Sequence, residues 1–194
     1  MVARPYDLED DGTWSIDFAS VDRSLSARTR ALLVVSPNNP TGSFLSPADL
    51  DRLTTTCASR GVALIADEVF ADYELEPGAA SRAASMLTRD EVLLFALGGL
   101  SKSIGLPQVK LGWIAVAGPQ GRVADALKRL EIVCDTYLSV STPVQLAARE
   151  LLERGAGIRR QIAARIAANY RQLKDLVASA PSCRLLHAAG GWSA

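Results

Sequence analysis

Continuous apolar runs alternate with longer stretches in which apolar residues recur at helical spacing. Ala31–Val35 (ALLVV) ends at Ser36-Pro37, Val62–Ala66 (VALIA) ends at Asp67, Val92–Leu97 (VLLFAL) ends at Gly98-Gly99, and Trp113–Ala117 (WIAVA) follows. Runs this short, apolar at every position and bounded by turn residues, predict strands buried on both faces. Between the first two, Ser46 as N-cap and Pro47 at the first helical position open a helix that runs to Arg60 and stops at Gly61. Beyond the last strand the pattern turns helical: Gln120–Tyr137, Pro143–Arg154 and an amphipathic helix over Ile158–Ala180, marked by Ile158, Ile162, Ile166, Tyr170, Leu173 and Val177. A short strand, Arg184–His187, is expected after it. Strands alternating with helices predict an α/β layered fold with a largely parallel sheet, and the long helix is expected to hinge it to a second, smaller domain.

In such sheets ligands gather beyond the carboxyl ends of the strands. The ends here carry Asn38-Asn39-Pro40-Thr41-Gly42, Asp67-Glu68 and Ser101-Lys102. These polar groups form a candidate site on position alone.

Composition narrows the class. The 194 residues include 21 Lys+Arg and 21 Asp+Glu, so no charge imbalance points to nucleic acid or to an acidic membrane surface. The basic set Arg159, Arg160, Arg165 and Arg171 reads as the solvated face of a helix. Cys57, Cys134 and Cys183 are far apart and His187 is the single histidine, so neither a disulfide framework nor a metal site is expected, and a reduced, cytoplasmic setting is. The longest apolar run, Val92–Leu100, is too short to span a bilayer, and Met1–Asp11 lacks the apolar core of a signal peptide. Trp113 and Trp192 read as core or interface aromatics, and His187 as a residue at a strand end.

Three segments in order resemble the class I/II aminotransferases. Ser36-Pro37-Asn38-Asn39-Pro40-Thr41-Gly42 is similar to their SPNNPTG motif, Ala66-Asp67-Glu68-Val69-Phe70 to their ADEVY segment, and Ser101-Lys102 with Lys110-Leu111-Gly112-Trp113 to their SK…RxGW stretch. The resemblance, from about Tyr6 to Trp192, implies the three-layer α/β/α large domain of the fold shared by pyridoxal-phosphate (PLP) transferases. That large domain would occupy 1–155, with a linking helix and the start of a small α+β domain over 156–194. It implies PLP as cofactor, amino acid and 2-oxo acid substrates, and a homodimer. It makes Lys102 the lysine that forms a Schiff base with the cofactor and then moves the proton between Cα and the cofactor's C4′. Asp67 would pair with the pyridine nitrogen, Asn39 would hydrogen-bond the phenolic oxygen, and Lys110 would meet the phosphate. Asn38-Asn39-Pro40 also suits a plain turn, and both readings of Asn39 stay open.

The chain departs from the family pattern at three positions. Lys110 replaces an arginine and loses its two-pronged geometry. Phe70 replaces a tyrosine and cannot reach the phenolic oxygen. Gly99 stands where a serine often contacts phosphate. The family's phosphate-cupping loop and ring-stacking aromatic are expected upstream of residue 1, and its substrate-carboxylate arginine downstream of residue 194, so the chain reads as a fragment. Transamination, with alanine as a first guess, is the expected reaction. β-Elimination or C–S cleavage on the same scaffold, and a non-catalytic PLP-binding regulator domain, stay open beside it.

Overall fold

The computed structural model describes residues 2–76, 78 and 86–194. A small antiparallel ribbon, β1 (Leu8–Asp10) with β2 (Trp14–Ile16), leads into the short helix α1 (Phe18–Ser24). The main sheet has four strands in the order β3 (Ala31–Val35), β4 (Ala63–Asp67), β5 (Leu94–Gly99) and β6 (Gly112–Ala117). β3, β4 and β5 run parallel, with Val35, Asp67 and Leu97 in one register. β6 is antiparallel to β5, pairing Gly99 with Gly112. The link from β5 to β6 holds only the short helix α3 (Leu100–Ser103) and a 3-10 turn, Pro107–Val109. With no crossover to carry it to the far end of the sheet, the chain returns beside β5 in the opposite direction.

Helix α2 (Pro47–Arg60) is the crossover from β3 to β4. It begins and ends as its sequence predicts: Ser46 accepts from the Asp49 N–H at 3.1 Å, and Gly61 closes it in the left-handed region at φ 65°. Its buried face, Leu50, Leu53 and Cys57, packs with Phe18 and Val21 of α1 onto Leu32, Val34, Leu64, Ala66, Leu94 and Ala96 of the sheet. Burial pushes the Cys57 thiol up to about 11.

Several expectations are corrected. β3 is not buried on both faces: it is an edge strand whose residues alternate, Leu32 and Val34 in the core and Leu33 52% exposed. The helices expected over Pro143–Arg154 and Ile158–Ala180 are one helix, α5 (Thr142–Ala178), which follows α4 (Gln120–Thr136). The glycines at 155 and 157 do not interrupt it, because tertiary contact overrides their low helix propensity. Gly155 is buried, and a Cβ there would lie 2.4 Å from Cγ2 of Ile104. Glycine is what lets α5 approach the α3 turn. Arg184–His187 is not a strand; instead Gly190 forms an isolated antiparallel bridge with Glu74. No described helix is long and apolar enough to cross a membrane.

The two glycines give a paired test. Gly155→Ala gains helix propensity but drives a methyl into Ile104, so it should destabilise the protein by about 1–3 kcal/mol. Gly157→Ala, with no atom nearer than 4.0 Å to the new Cβ, should stabilise it by up to about 1 kcal/mol. Urea unfolding of both variants measures the difference; equal midpoints would show that α5 does not press on α3.

Candidate functional site

The parallel register brings three loops to one edge of the sheet. Val35 leads into Ser36–Gly42, Asp67 ends β4 itself, and Gly99 leads into α3 with Lys102. β6 begins beside the end of β5, so Lys110, two residues before it, lies at that edge as well.

The first loop divides the work of its two asparagines. Asn38 holds the turn: its N–H donates to the Ser43 carbonyl at 2.8 Å, its carbonyl accepts from the Gly42 N–H at 2.7 Å, and its Oδ1 accepts from Thr41 Oγ1 at 3.0 Å. Asn39 is exposed and makes no side-chain hydrogen bond to the described residues. Asp67 is half-buried; its Oδ1 accepts from the Val69 N–H at 3.1 Å and its carbonyl from the Ser36 N–H at 3.0 Å. That first bond orients the carboxylate and leaves the second oxygen for another partner.

Lys102 sits in a turn fixed from within. Leu100 is fully buried, its N–H donates to the Leu111 carbonyl at 3.0 Å, and its carbonyl accepts from the Leu106 N–H at 3.0 Å. The Lys102 Nζ lies 5.8 Å from the ring centres of both Phe70 and Trp192, within cation–π range. Those two rings meet edge-on at 5.2 Å and 64°, and Trp192 meets Tyr73 in the same manner at 5.4 Å. Phe70 thus presents to the lysine a ring that carries no hydroxyl. Lys110 is exposed and takes φ 52°, a left-handed conformation unusual for a residue with a side chain.

Three side chains here escaped the reading of the sequence. Trp192, taken as a core or interface aromatic, stands over Lys102 and is 40% exposed. It arrives because residues 189–191 fold back onto the site loops: the Ala189 and Gly190 N–H groups donate to the Gly42 carbonyl at 2.9 and 2.8 Å, and Gly191 N–H to the Tyr73 carbonyl at 2.9 Å. The signal was the Gly190-Gly191 pair, since a Cβ on Gly190 would lie 2.5 Å from the Phe44 ring and 2.7 Å from the Tyr73 carbonyl. Tyr73 is fully buried beneath Lys102. Arg159, read as part of a solvated face, bonds Ser103 and Asp72; Arg160, Arg165 and Arg171 are exposed, as expected. Trp113 is 40% exposed, its indole against Gly98, where a Cβ would lie 2.3 Å from Nε1. His187 is exposed and outside any strand.

A half-buried primary amine and a half-buried carboxylate thus stand at the ends of adjacent parallel strands of an α/β sheet. An aminotransferase from Staphylococcus aureus shares the fold with a TM-score of 0.78 at 19% identity, over 97% of this chain and 48% of that one. The sequence profile of aminotransferase class I and II matches residues 1–191, and the chain belongs to that family, whose members depend on PLP. Similar curated relatives include nicotianamine aminotransferase B of Hordeum vulgare, 31% identical over 77% of this chain and 27% of that protein. Another is alanine aminotransferase of Mycobacterium tuberculosis, 28% identical over 69% of this chain and 31% of that one. The chain therefore spans about a third or less of the length of these relatives.

The backbone seat of Trp192 is open to test. Gly190→Ala should unseat residues 189–191 and free the indole. Its emission, isolated by subtraction of Trp192→Phe, should shift to the red and become more accessible to iodide. Parental emission would show that the Gly42 and Tyr73 carbonyls do not place the ring.

Proposed function

We propose that this chain supplies the lysine-bearing wall of a PLP-dependent aminotransferase that moves an amino group between an amino acid and a 2-oxo acid. The observation that carries the reading is Lys102, a primary amine in a rigid turn beyond β5, beside the strand that ends in Asp67. The donor set suits the cofactor: an amine for its aldehyde, a carboxylate with an oxygen to spare, an unengaged asparagine amide, and an exposed cation at the same sheet edge for its phosphate.

When bound, PLP supplies an aldehyde that condenses with amines and a ring that accepts electrons released at the substrate Cα. Asp67 is the group that keeps the ring nitrogen protonated, with the Val69 N–H fixing its orientation. Lys102 would hold the cofactor through its amine and, once free, would move the proton lost from the substrate Cα. Asn39 donates to the phenolic oxygen, and Lys110 neutralises the phosphate. Phe70 supplies no hydroxyl, so the phenolic oxygen has one donor fewer. In this reading 1–155 belongs to the large domain and 156–194 to the linking helix and the start of the small one. The protein is a cytoplasmic homodimer, and alanine is its amino donor, supported by the alanine aminotransferase among the relatives.

Two measurements test the proposal. The full-length protein loaded with PLP should convert alanine and 2-oxoglutarate to pyruvate and glutamate, and borohydride reduction followed by peptide mapping should mark Lys102. Release of a thiol from cystathionine without transamination would make it a lyase, PLP binding without turnover a regulator domain, and label on Lys110 or Lys128 would remove Lys102 from its role.

Lys110 should govern retention of the cofactor more than the chemistry. A charge-assisted bond to phosphate is worth about 1.5–3 kcal/mol, so Lys110→Ala should weaken PLP binding by about one to two powers of ten, while Lys110→Arg keeps or improves it. Equilibrium dialysis measures this. Unchanged affinity in Lys110→Ala would show that the side chain faces solvent in the loaded protein.

A further inference from the structure

Beneath Lys102 lies a polar cluster that the reaction itself does not call for. Tyr73, fully buried, donates its hydroxyl toward the Lys102 carbonyl at 2.7 Å and the Ser103 carbonyl at 3.0 Å. Arg159 reaches in from α5: Nε donates to the Ser103 carbonyl at 3.1 Å and a terminal nitrogen to Ser103 Oγ at 2.8 Å. Ser103 Oγ donates in turn to Asp72 Oδ2 at 2.9 Å, and that carboxylate pairs with Arg159 Nε at 3.2 Å. Asp72, Ser103 and Arg159 form a closed ring, and two of its three sides end on Ser103, the residue after Lys102.

The helix is cut to fit this turn. Gly155, Arg159 and Ile162 are spaced to share one face of α5. That face meets three successive residues: Gly155 touches Ile104, Arg159 grips Ser103, and Ile162 Cδ1 would lie 3.2 Å from a Cβ on Gly105. Arg159 has about a third of its side chain exposed, so the contact is not sealed from water. Its force comes from the planar guanidinium, which fixes two donors at once on a carbonyl and a hydroxyl. Burial, and the nearby Asp72 carboxylate, push the Tyr73 phenol up to about 12, with Arg159 opposing, so it stays a donor at any physiological pH.

We infer that Arg159, with Asp72, Ser103 and Tyr73, is a positioning device that holds the backbone of the Lys102 turn and couples the orientation of the lysine to helix α5. This rests on the reading of Lys102 as the cofactor lysine. Each acts through the turn that presents the amine. Because α5 runs without a break from the α3 contact to Ala178, a displacement of its far half is transmitted to the Lys102 turn through Arg159 and the packing of Gly155 and Ile162 beside it.

The test uses the full-length protein and two readouts. Without cofactor, hydrogen exchange at the amides of residues 100–106 should be about tenfold faster in Arg159→Ala, as expected for loss of charge-assisted hydrogen bonds. On addition of PLP, the rate at which the visible band of the lysine-bound cofactor grows should fall about tenfold, because a loosened turn presents the amine in the productive orientation less often. Arg159→Lys should recover part of both effects, and Arg160→Ala, an exposed neighbour on the same helix, should match the parent in both. Ser103→Ala and Tyr73→Phe, which each remove one contact, give smaller changes of the same sign and replace Arg159→Ala if it does not fold. Parental exchange in a folded Arg159→Ala, or faster exchange with an unchanged rate of PLP capture, overturns the inference. If the parent forms no bond to PLP at Lys102, the functional reading fails and the exchange data alone decide whether the clamp exists.

Discussion

The parallel pairing of β3 with β4 and of β4 with β5 sets Val35, Asp67 and Leu97 side by side. Because the strands run the same way and end in step, the loops that follow them open at one edge of the sheet. A slip of one residue would turn each strand's inward set, Leu32 and Val34 or Leu64 and Ala66, toward the opposite face. The hydrophobic core under α1 and α2 thus holds the register, and the register holds Asp67 beside the turn that carries Lys102. The geometry of this edge is a consequence of which apolar residues can be buried.

Backbone hydrogen bonds add a second constraint. The Gly42 carbonyl accepts from two successive N–H groups, Ala189 and Gly190, and the Tyr73 carbonyl from Gly191. None of these three bonds depends on a side chain, and glycine lets the segments approach: a Cβ on Gly42 would lie 2.6 Å from the Ala188 Cβ, and one on Gly190 would strike Phe44. The end of the chain is therefore stitched to the two loops that present Asn39 and Asp67, and Trp192 is set over Lys102. Phe70, Tyr73 and Trp192 make an aromatic wall whose outer part faces the amine and whose inner part, the Tyr73 hydroxyl, grips the backbone beneath it.

Features carried by local chemistry were legible in the sequence. The N-cap at Ser46, the stop at Gly61 and the helix from Gln120 all stand where residue preferences put them. The placement of Asn39, Asp67, Lys102 and Lys110 at strand ends followed from apolar runs and from motifs. The readings that failed did so where long-range contact decides. The gap left between Arg154 and Ile158 is helical because Gly155 packs on Ile104. Val34 and Leu33 have similar hydrophobicity, yet one is buried and the other half exposed, because an edge strand packs on one face. The ribbon of β1 and β2 went unread since strands of three residues show no periodicity.

By itself the sequence determined the family and the α/β class and nominated the candidate groups, because these rest on local patterns: apolar runs, caps, and motifs with fixed spacing. Only the tertiary structure decided that Trp192 belongs to the site, that Tyr73 and Arg159 hold the lysine turn, and that α5 is one rigid element. Each of these joins residues from about thirty to ninety positions apart, as with Tyr73 and Lys102, Arg159 and Ser103, or Trp192 and Lys102. Nothing in the neighbourhood of an arginine on an amphipathic helix reveals whether it faces water or a serine; the packing of Gly155 on Ile104 settles that, by bringing the helix close enough for the guanidinium to reach.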